Sequence, residues 1–187
     1  MTMKILVAYA TRHGATQGIA ERIATTLETD GLEVTLRPVA GVDSVDGYDA
    51  FVIGSAAYMG AWLKEATRFV RAHRDALVGH PIWLFSSGPV GDEAPGKKGV
   101  DPLKASEPRE FSELARTLPS RGQQVFYGAY DPDLSPGSFL ERLTKVIPAV
   151  KDALPSGDFR DWPAIEAWAH GIALALRKER ELESASA

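Results

Sequence analysis

Residues 9–24 read YATRHGATQGIAERIA and join a short apolar run to a helical pattern. The loop between them contains, in order, Thr11, Arg12, His13, Gly14, Ala15 and Thr16. The first turn of a helix presents unpaired backbone N–H groups and the positive end of the helix dipole, and both attract anions. We predict that Thr16 caps the helix and that this loop forms an anion cradle. A capped helix without a ligand accounts for the same residues equally well.

The composition is that of an ordinary globular protein. The chain has 187 residues, of which 44% are apolar and 25% charged, and this length suits one domain. We assign residues 1–183 to that domain and expect 184–187 to be a disordered tail. The net charge of −4 argues against a nucleic-acid partner. Because cysteine is absent, disulfides, thiolate chemistry and cysteine-ligated metals are excluded. Redox chemistry therefore needs a bound organic cofactor or a metal held by other ligands.

The N-terminal residues indicate the cellular location of the protein. The segment MTMKILVAYA lacks the long apolar region and the cleavage site of a signal peptide. No stretch approaches the ~18 successive apolar residues that span a bilayer. We therefore expect a cytoplasmic protein without a transmembrane segment, and a peripheral membrane contact stays open.

Short apolar runs predict a parallel sheet. Four of them are nearly continuous, as in strands buried on both faces, and they cover residues 4–10, 50–56, 81–87 and 124–130. A fifth run, residues 32–39, alternates apolar and polar residues and predicts an edge strand. Helical spacing of apolar residues is found over 16–29, 61–77, 108–118 and 161–182. This alternation of strands and helices predicts an α/β sandwich, with an insertion at 131–160 after the last strand.

Ligands of open α/β sheets bind at the carboxyl ends of the strands. Small, hydroxyl-bearing and glycine-containing loops follow three of the predicted strands, over 11–16, 55–60 and 86–91. A nucleotide P-loop would need a Gly-Lys-Ser/Thr ending, and a dinucleotide fingerprint would need G-x-G-x-x-G. Neither is present. A phospho-accepting receiver domain would need an aspartate after the central strand, where this chain has VIGSA.

The first loop and its flanks resemble the flavodoxin family. The matching positions are Tyr9, Thr11, Gly14, Thr16, Ala20 and Ile23, and Ala8 departs by replacing a larger apolar residue. The resemblance implies a flavodoxin-like three-layer α/β sandwich, with a five-stranded parallel sheet of order 2-1-3-4-5. It also implies FMN, with the phosphate in loop 11–16 and the flavin ring between loops 55–60 and 86–91.

The resemblance implies a set of cofactor-binding residues in the three loops. They are Thr11, Arg12, His13, Gly14, Ala15, Thr16, Ser55, Ala56, Ala57, Tyr58, Met59, Gly60, Ser87, Gly88, Pro89, Val90 and Gly91. Tyr58 is the preferred aromatic face for the flavin, and Met59 offers a polarisable contact. Trp62 fits the flavin or the core equally well. The residues identify no catalytic group, and the four scattered histidines predict no metal site.

A narrower resemblance concerns function. The loop ATRHGAT, the insertion at 131–160 and the stretch FRDWPAIEAWAHGIA (159–173) are similar to the flavodoxin-like protoporphyrinogen dehydrogenases of bacteria. This implies an FMN-dependent oxidoreductase whose partners are a porphyrinogen and a quinone. Residues 138–150 of the insertion predict an apolar helical face that packs on the sheet or contacts substrate or membrane. The alternatives are an electron-carrying flavodoxin that serves a redox partner protein, and an interaction domain that has lost its flavin.

Overall fold

The computed structural model describes residues 2–90, 100–130 and 156–186. The strands are β1 Lys4–Ala10, β2 Glu33–Pro38, β3 Ala50–Tyr58, β4 Ala61–Trp62, β5 Ile82–Ser87, β6 Gly122–Phe126, β7 Ala129–Tyr130 and β8 Gly157–Asp158. The helices are α1 Ala15–Thr29, α2 Lys64–Ala72, α3 Arg74–Leu77, α4 Pro102–Ala105, α5 Arg109–Leu114 and α6 Trp162–Ser186, with a 3-10 turn at Val39–Gly41.

The main sheet has the predicted topology. Its parallel strands follow the order β2-β1-β3-β5-β6, which is 2-1-3-4-5 once the short β4 is left out. The predicted order is therefore confirmed. β1, β3 and β5 are almost wholly buried because helices cover both of their faces, whereas β2 is half-exposed at the edge. β4 adds an antiparallel pair to the end of β3.

Two apolar clusters make the three layers. On one face, Ile5 and Val7 of β1 pack with α1 and α6. On the other face, Leu6 of the same strand packs with α2, α3 and α5. The alternation follows from the two-residue period of a strand. At about 25 cal/mol per Å² of buried apolar surface, packing on both faces of β1 stabilises all three layers.

Three elements differ from the sequence-based expectations. The helix predicted from residue 61 begins at Lys64, because residues 61 and 62 form β4 instead, and it is interrupted at His73. The run 124–130 is split, since β6 ends at Phe126 and β7 pairs antiparallel with β8. The helix predicted over 108–118 is shorter and covers Arg109–Leu114.

The end of the chain differs as well. α6 continues to Ser186, into the segment 184–187 that we expected to be disordered. Alanine and glutamate favour helix, and the Ser184 hydroxyl donates to the carbonyl of Glu181. Of the predicted insertion at 131–160, residues 131–155 lie outside the described part of the chain, and the apolar face expected over 138–150 lies there too. Among the described residues, no helix is long and apolar enough to cross a membrane.

Candidate functional site

The three predicted loops meet at one edge of the sheet. β1, β3 and β5 are adjacent and parallel, so their carboxyl ends, Ala10, Tyr58 and Ser87, lie side by side. The pairing registers place Ala10 opposite Ser55, and Ala56 opposite Ser87. This edge is where the strand order reverses, which is the usual ligand position in such sheets.

Loop 11–16 has the geometry of an anion cradle. Gly14 is the residue before α1 and has a left-handed backbone, with φ of 84°. Its N–H donates to the Thr11 hydroxyl over 3.1 Å. The first i to i−4 bond of the helix joins the Gly18 N–H to the Gly14 carbonyl. The N–H groups of residues 15–17 therefore have no acceptor among the described residues, as at any open helix start.

The surroundings of the start of α1 favour the binding of an anion. No acidic side chain lies in the first turn of α1, and Arg12 is exposed beside it. A Cβ on Gly14 would meet nothing within 4 Å, so the space beside this residue is open. The dipole of α1 adds a partial positive charge at the same place. Phosphate is the ligand chemistry that this arrangement fits.

The predicted cap at Thr16 is wrong. The N-cap is Gly14, and no side chain caps α1. Thr16 instead lies in the second position of the helix, faces the sheet and is fully buried. Its hydroxyl shares a 2.7 Å hydrogen bond with the hydroxyl of Ser87. Thr16 thus links loop 11–16 to the end of β5, and its hydroxyl is sealed from solvent.

The second loop is a tight β-hairpin. β3 and β4 pair Tyr58 with Ala61, which leaves Met59 and Gly60 as a two-residue turn. Both have positive φ, 51° and 71°, as a type I′ turn requires. Met59 is 92% exposed at the tip. The predicted ligand residues Ser55 and Ala56 are buried in β3, and Ala57 is half-buried.

Two buried residues of this region support the hairpin. The Ser55 hydroxyl accepts from the Leu63 N–H and donates to the Ala56 carbonyl, so Ser55 holds the hairpin together. Trp62 belongs to the core, where it is 4% exposed and packs edge-on against Phe111 at 5.7 Å. Its indole N–H has no acceptor among the described residues. The core alternative that we left open for Trp62 is the one that the structure adopts.

Tyr58 joins the first and second loops. Its half-buried ring lies 6.5 Å from the His13 ring, edge-on, and 5.6 Å from the Arg12 guanidinium. Burial raises the pKa of Tyr58, and the nearby charge of Arg12 opposes that rise. Burial also lowers the pKa of His13, and Arg12 lowers it further. At neutral pH the phenol is therefore protonated and the imidazole is mostly neutral, so Arg12 carries the positive charge of this cluster.

The third loop is built from backbone contacts. Gly88 donates its N–H to the Phe126 carbonyl, and a Cβ on Gly88 would lie 3.3 Å from Val125. The Pro89 carbonyl accepts from the Gly128 N–H. Pro89 and Val90 are half-buried, and Gly91 lies outside the described residues. Gly88 thus serves close packing within the protein.

Sequence reasoning missed Arg160. Its guanidinium makes a two-pronged contact with Asp158, at 2.7 and 2.6 Å, and lies 4.4 Å from the Trp162 ring centroid. Nη1 also approaches the Ala15 carbonyl at 3.5 Å. A Cβ on Gly18 would lie 2.4 Å from this Nη1. The glycine within α1 was the available indication that another group packs there.

Arg160 has an electrostatic consequence for its partner. The hydrogen bonds from Arg160 lower the pKa of Asp158. Through its contacts with Asp158, the Trp162 ring and the Ala15 carbonyl, Arg160 links the start of α6 to the first turn of α1.

Among the described residues, no group of three or more His, Asp or Glu lies close enough together to hold a metal ion.

These features define a doubly wound α/β protein with an anion cradle at its topological switch point. The flavodoxin domain family matches residues 6–134, which is more than half of the chain. The chain belongs to the flavodoxin domain family. The matched range includes all three loops, whereas α6 lies beyond it.

Solved structures show the same fold. A cysteine-to-serine mutant of the flavodoxin from Pseudomonas aeruginosa is 19% identical with a TM-score of 0.56, and the match covers 94% of this chain and 99% of that one. A flavodoxin from the domain Archaea is 20% identical with a TM-score of 0.51, over 71% and 89% of the two chains. Rubredoxin oxygen:oxidoreductase from the anaerobe Desulfovibrio gigas is 12% identical with a TM-score of 0.59, over 94% of this chain and 36% of that longer one.

Proposed function

We propose that the chain binds one FMN at the carboxyl edge of β1, β3 and β5. The phosphate lies against loop 11–16, and the flavin ring lies between loops 55–60 and 86–91. The observation that carries this proposal is the helix start at Gly14, where three N–H groups lack acceptors among the described residues and the first turn of α1 contains no acidic side chain. Membership of the flavodoxin domain family supports it.

The residues of this chain have separate roles in the proposed site. The N–H groups of residues 15–17 bind the phosphate, and Arg12 adds a long-range attraction. Tyr58, protonated at neutral pH, offers a flat face to the ring. The bond between Thr16 and Ser87 keeps the first and third loops at a fixed separation. Bound FMN supplies the one- and two-electron chemistry, and the protein orients it and excludes side reactions.

We propose further that the protein is an FMN-dependent oxidoreductase of the protoporphyrinogen dehydrogenase type. In net terms, the porphyrinogen loses pairs of electrons and protons, and a quinone gains them and becomes a quinol. The resemblance of residues 159–173 supports this, and so does the exposed cation of Arg12 beside the cradle, which suits a carboxylate-bearing substrate. The proposal places the protein in the cytoplasm, in peripheral contact with a membrane that contains the quinone.

The test is turnover by the flavin-loaded protein. Under anaerobic conditions, with a soluble quinone as acceptor, we expect the porphyrinogen to be consumed and fluorescent porphyrin to form in proportion to protein. Flavin-free protein is the control. If the loaded protein produces no porphyrin with any quinone tested, the enzyme proposal is refuted while the FMN proposal stands.

An electron carrier is the second candidate. The likeness to the flavodoxin from Pseudomonas aeruginosa, which covers nearly the whole of both chains, favours it. A carrier needs a redox partner protein and no small substrate. Rapid reduction of the bound FMN by a flavodoxin reductase, together with absent porphyrinogen turnover, would identify the carrier.

A further inference from the structure

The hairpin at Met59 and Gly60 adopts an unfavourable backbone conformation. Met59 has φ of 51°, and among the described residues it alone combines a side chain with a positive φ. A residue with a Cβ is crowded in this conformation, which is why Asn-Gly is the usual sequence of a type I′ turn. Met59 gains nothing from packing, since it is 92% exposed. Contacts from elsewhere must therefore hold the turn.

Those contacts come from the start of α5. The Arg109 N–H donates to the Gly60 carbonyl over 3.0 Å. The Glu110 carboxylate accepts from the Trp62 N–H over 2.9 Å through Oε2. The second residue of the turn and the last residue of β4 are thus hydrogen-bonded to two successive residues that lie about 50 positions further along the chain. The hairpin is thus anchored to α5 by the Arg109 N–H and the Glu110 carboxylate.

Glu110 is unusual because it is a buried carboxylate. It is 5% exposed, and among the described residues its carboxylate has two polar partners, the Trp62 N–H and the Arg109 guanidinium, whose Nε lies 3.5 Å from Oε1. A buried charge with so few partners costs stability, and an apolar residue of similar size often serves the core better. Its position at the base of the hairpin indicates that the carboxylate has a role other than stabilising the core.

We propose that Glu110 is a positioning residue of the flavin site, an inference that rests on the proposed function. Its carboxylate fixes the strained Met59–Gly60 turn in the conformation against which the flavin ring lies. The backbone dipoles of that turn are then set relative to the ring, and such dipoles tune the redox potential of a bound cofactor. Glu110 acts through the turn and does not contact the flavin.

Two conservative variants separate the effect of side-chain length from the effect of charge. Glu110→Gln keeps an oxygen at the same distance and loses the charge. Glu110→Asp keeps the charge and ends one methylene short of the Trp62 N–H. Glu113→Asp is the matched control, because Glu113 lies on the same helix and pairs with Arg71 at the surface. The readouts are amide hydrogen exchange at residues 60–62 in flavin-free protein, and the redox potential of bound FMN.

We expect Glu110→Asp to speed exchange at these amides by roughly tenfold, since one buried hydrogen bond is lost, and to move the potential. Glu110→Gln should leave exchange unchanged, as should the control. Adding Met59→Asn, which gives Asn-Gly, should reduce the effect of Glu110→Asp on exchange. An exchange rate unchanged in Glu110→Asp would overturn the inference. A potential that moves only in Glu110→Gln would also overturn it, because Glu110 would then act by charge alone.

Failure of the proposed function gives a different pattern. If the wild-type protein takes up no FMN, the proposed function and this inference both fall. If FMN binds and the potential of Glu110→Asp equals that of the wild type, only the inference falls.

Discussion

Thr16 and Ser87 share a 2.7 Å hydrogen bond between their hydroxyls, although they are 71 positions apart in the sequence. Thr16 is fully buried and Ser87 is 5% exposed, so water does not compete for either oxygen. The bond joins the first turn of α1 to the end of β5. It therefore fixes the distance between the anion cradle and the third loop of the candidate site.

Thr16→Val should lower the free energy of unfolding by about 1–3 kcal/mol, because it leaves the Ser87 hydroxyl buried without its partner. Removing both partners, with Thr16→Val and Ser87→Ala together, should cost less than the sum of the two single changes. Urea unfolding of the flavin-free proteins measures this. Thr25→Val, on the exposed side of α1, is the control and should change stability little. Strictly additive losses would show that the two hydroxyls are not coupled.

Gly14→Ala should weaken FMN binding by roughly tenfold or more, because it strains the loop that presents the phosphate donors. Gly31→Ala is a close control. Gly31 has nearly the same φ, 83° against 84°, and equally open surroundings, but it lies at the other end of α1. Both variants should lose about 1–2 kcal/mol of stability, and only Gly14→Ala should lose FMN affinity. Equal affinities in the two variants would place the phosphate elsewhere.

His13 should make stability depend on pH. Its pKa in the folded protein is lowered from 6.5, so the unfolded chain binds more protons between the two pKa values. Stability should therefore rise with pH through this window, and be lost as pH falls towards the folded pKa. His13→Gln should flatten this part of the pH profile. Urea unfolding at several pH values measures it, and a profile unchanged by the substitution would contradict the account.

The same histidine reports on the ligand. A phosphate dianion beside loop 11–16 favours the imidazolium form, so FMN should raise the pKa of His13. An NMR titration of the imidazole with and without FMN measures the shift. His80 precedes β5 at the opposite edge of the sheet, where its ring packs against Phe51 near the start of β3, and it is the internal control. A His13 pKa that FMN does not change would remove the phosphate from this loop.

Gly18→Ala should change the free energy of unfolding in opposite directions in the wild type and in the Arg160→Ala variant. Alanine favours helix over glycine by roughly 1 kcal/mol, but in the wild type the new Cβ would lie 2.4 Å from Arg160 Nη1. Asp158 and Trp162 hold that guanidinium in place. We expect Gly18→Ala to destabilise the wild type and to stabilise Arg160→Ala, as measured by urea unfolding. Stabilisation of equal size in both would show that Arg160 moves aside without cost.

The sequence predicts those features that local pattern determines. The continuous apolar run of 4–10 becomes β1, and the helix that follows it begins at Ala15, one residue from the predicted start. Partners from distant segments could not be predicted in this way. The Glu110 contact with Trp62 spans 48 positions, and the Arg160 contact with Ala15 spans 145. Thr16 was predicted to be a cap because hydroxyl residues usually cap helices, whereas the left-handed Gly14 takes that position.

The most direct test of the central claim compares FMN with riboflavin, which differ only in the phosphate. The purified flavin-free protein is titrated with each, and binding is followed by quenching of flavin fluorescence. We expect one FMN per chain, with an affinity at least roughly tenfold higher than that of riboflavin, since each hydrogen bond to a charged group contributes about 1.5–3 kcal/mol. Equal affinity for the two flavins, or binding of neither, would contradict the proposed site.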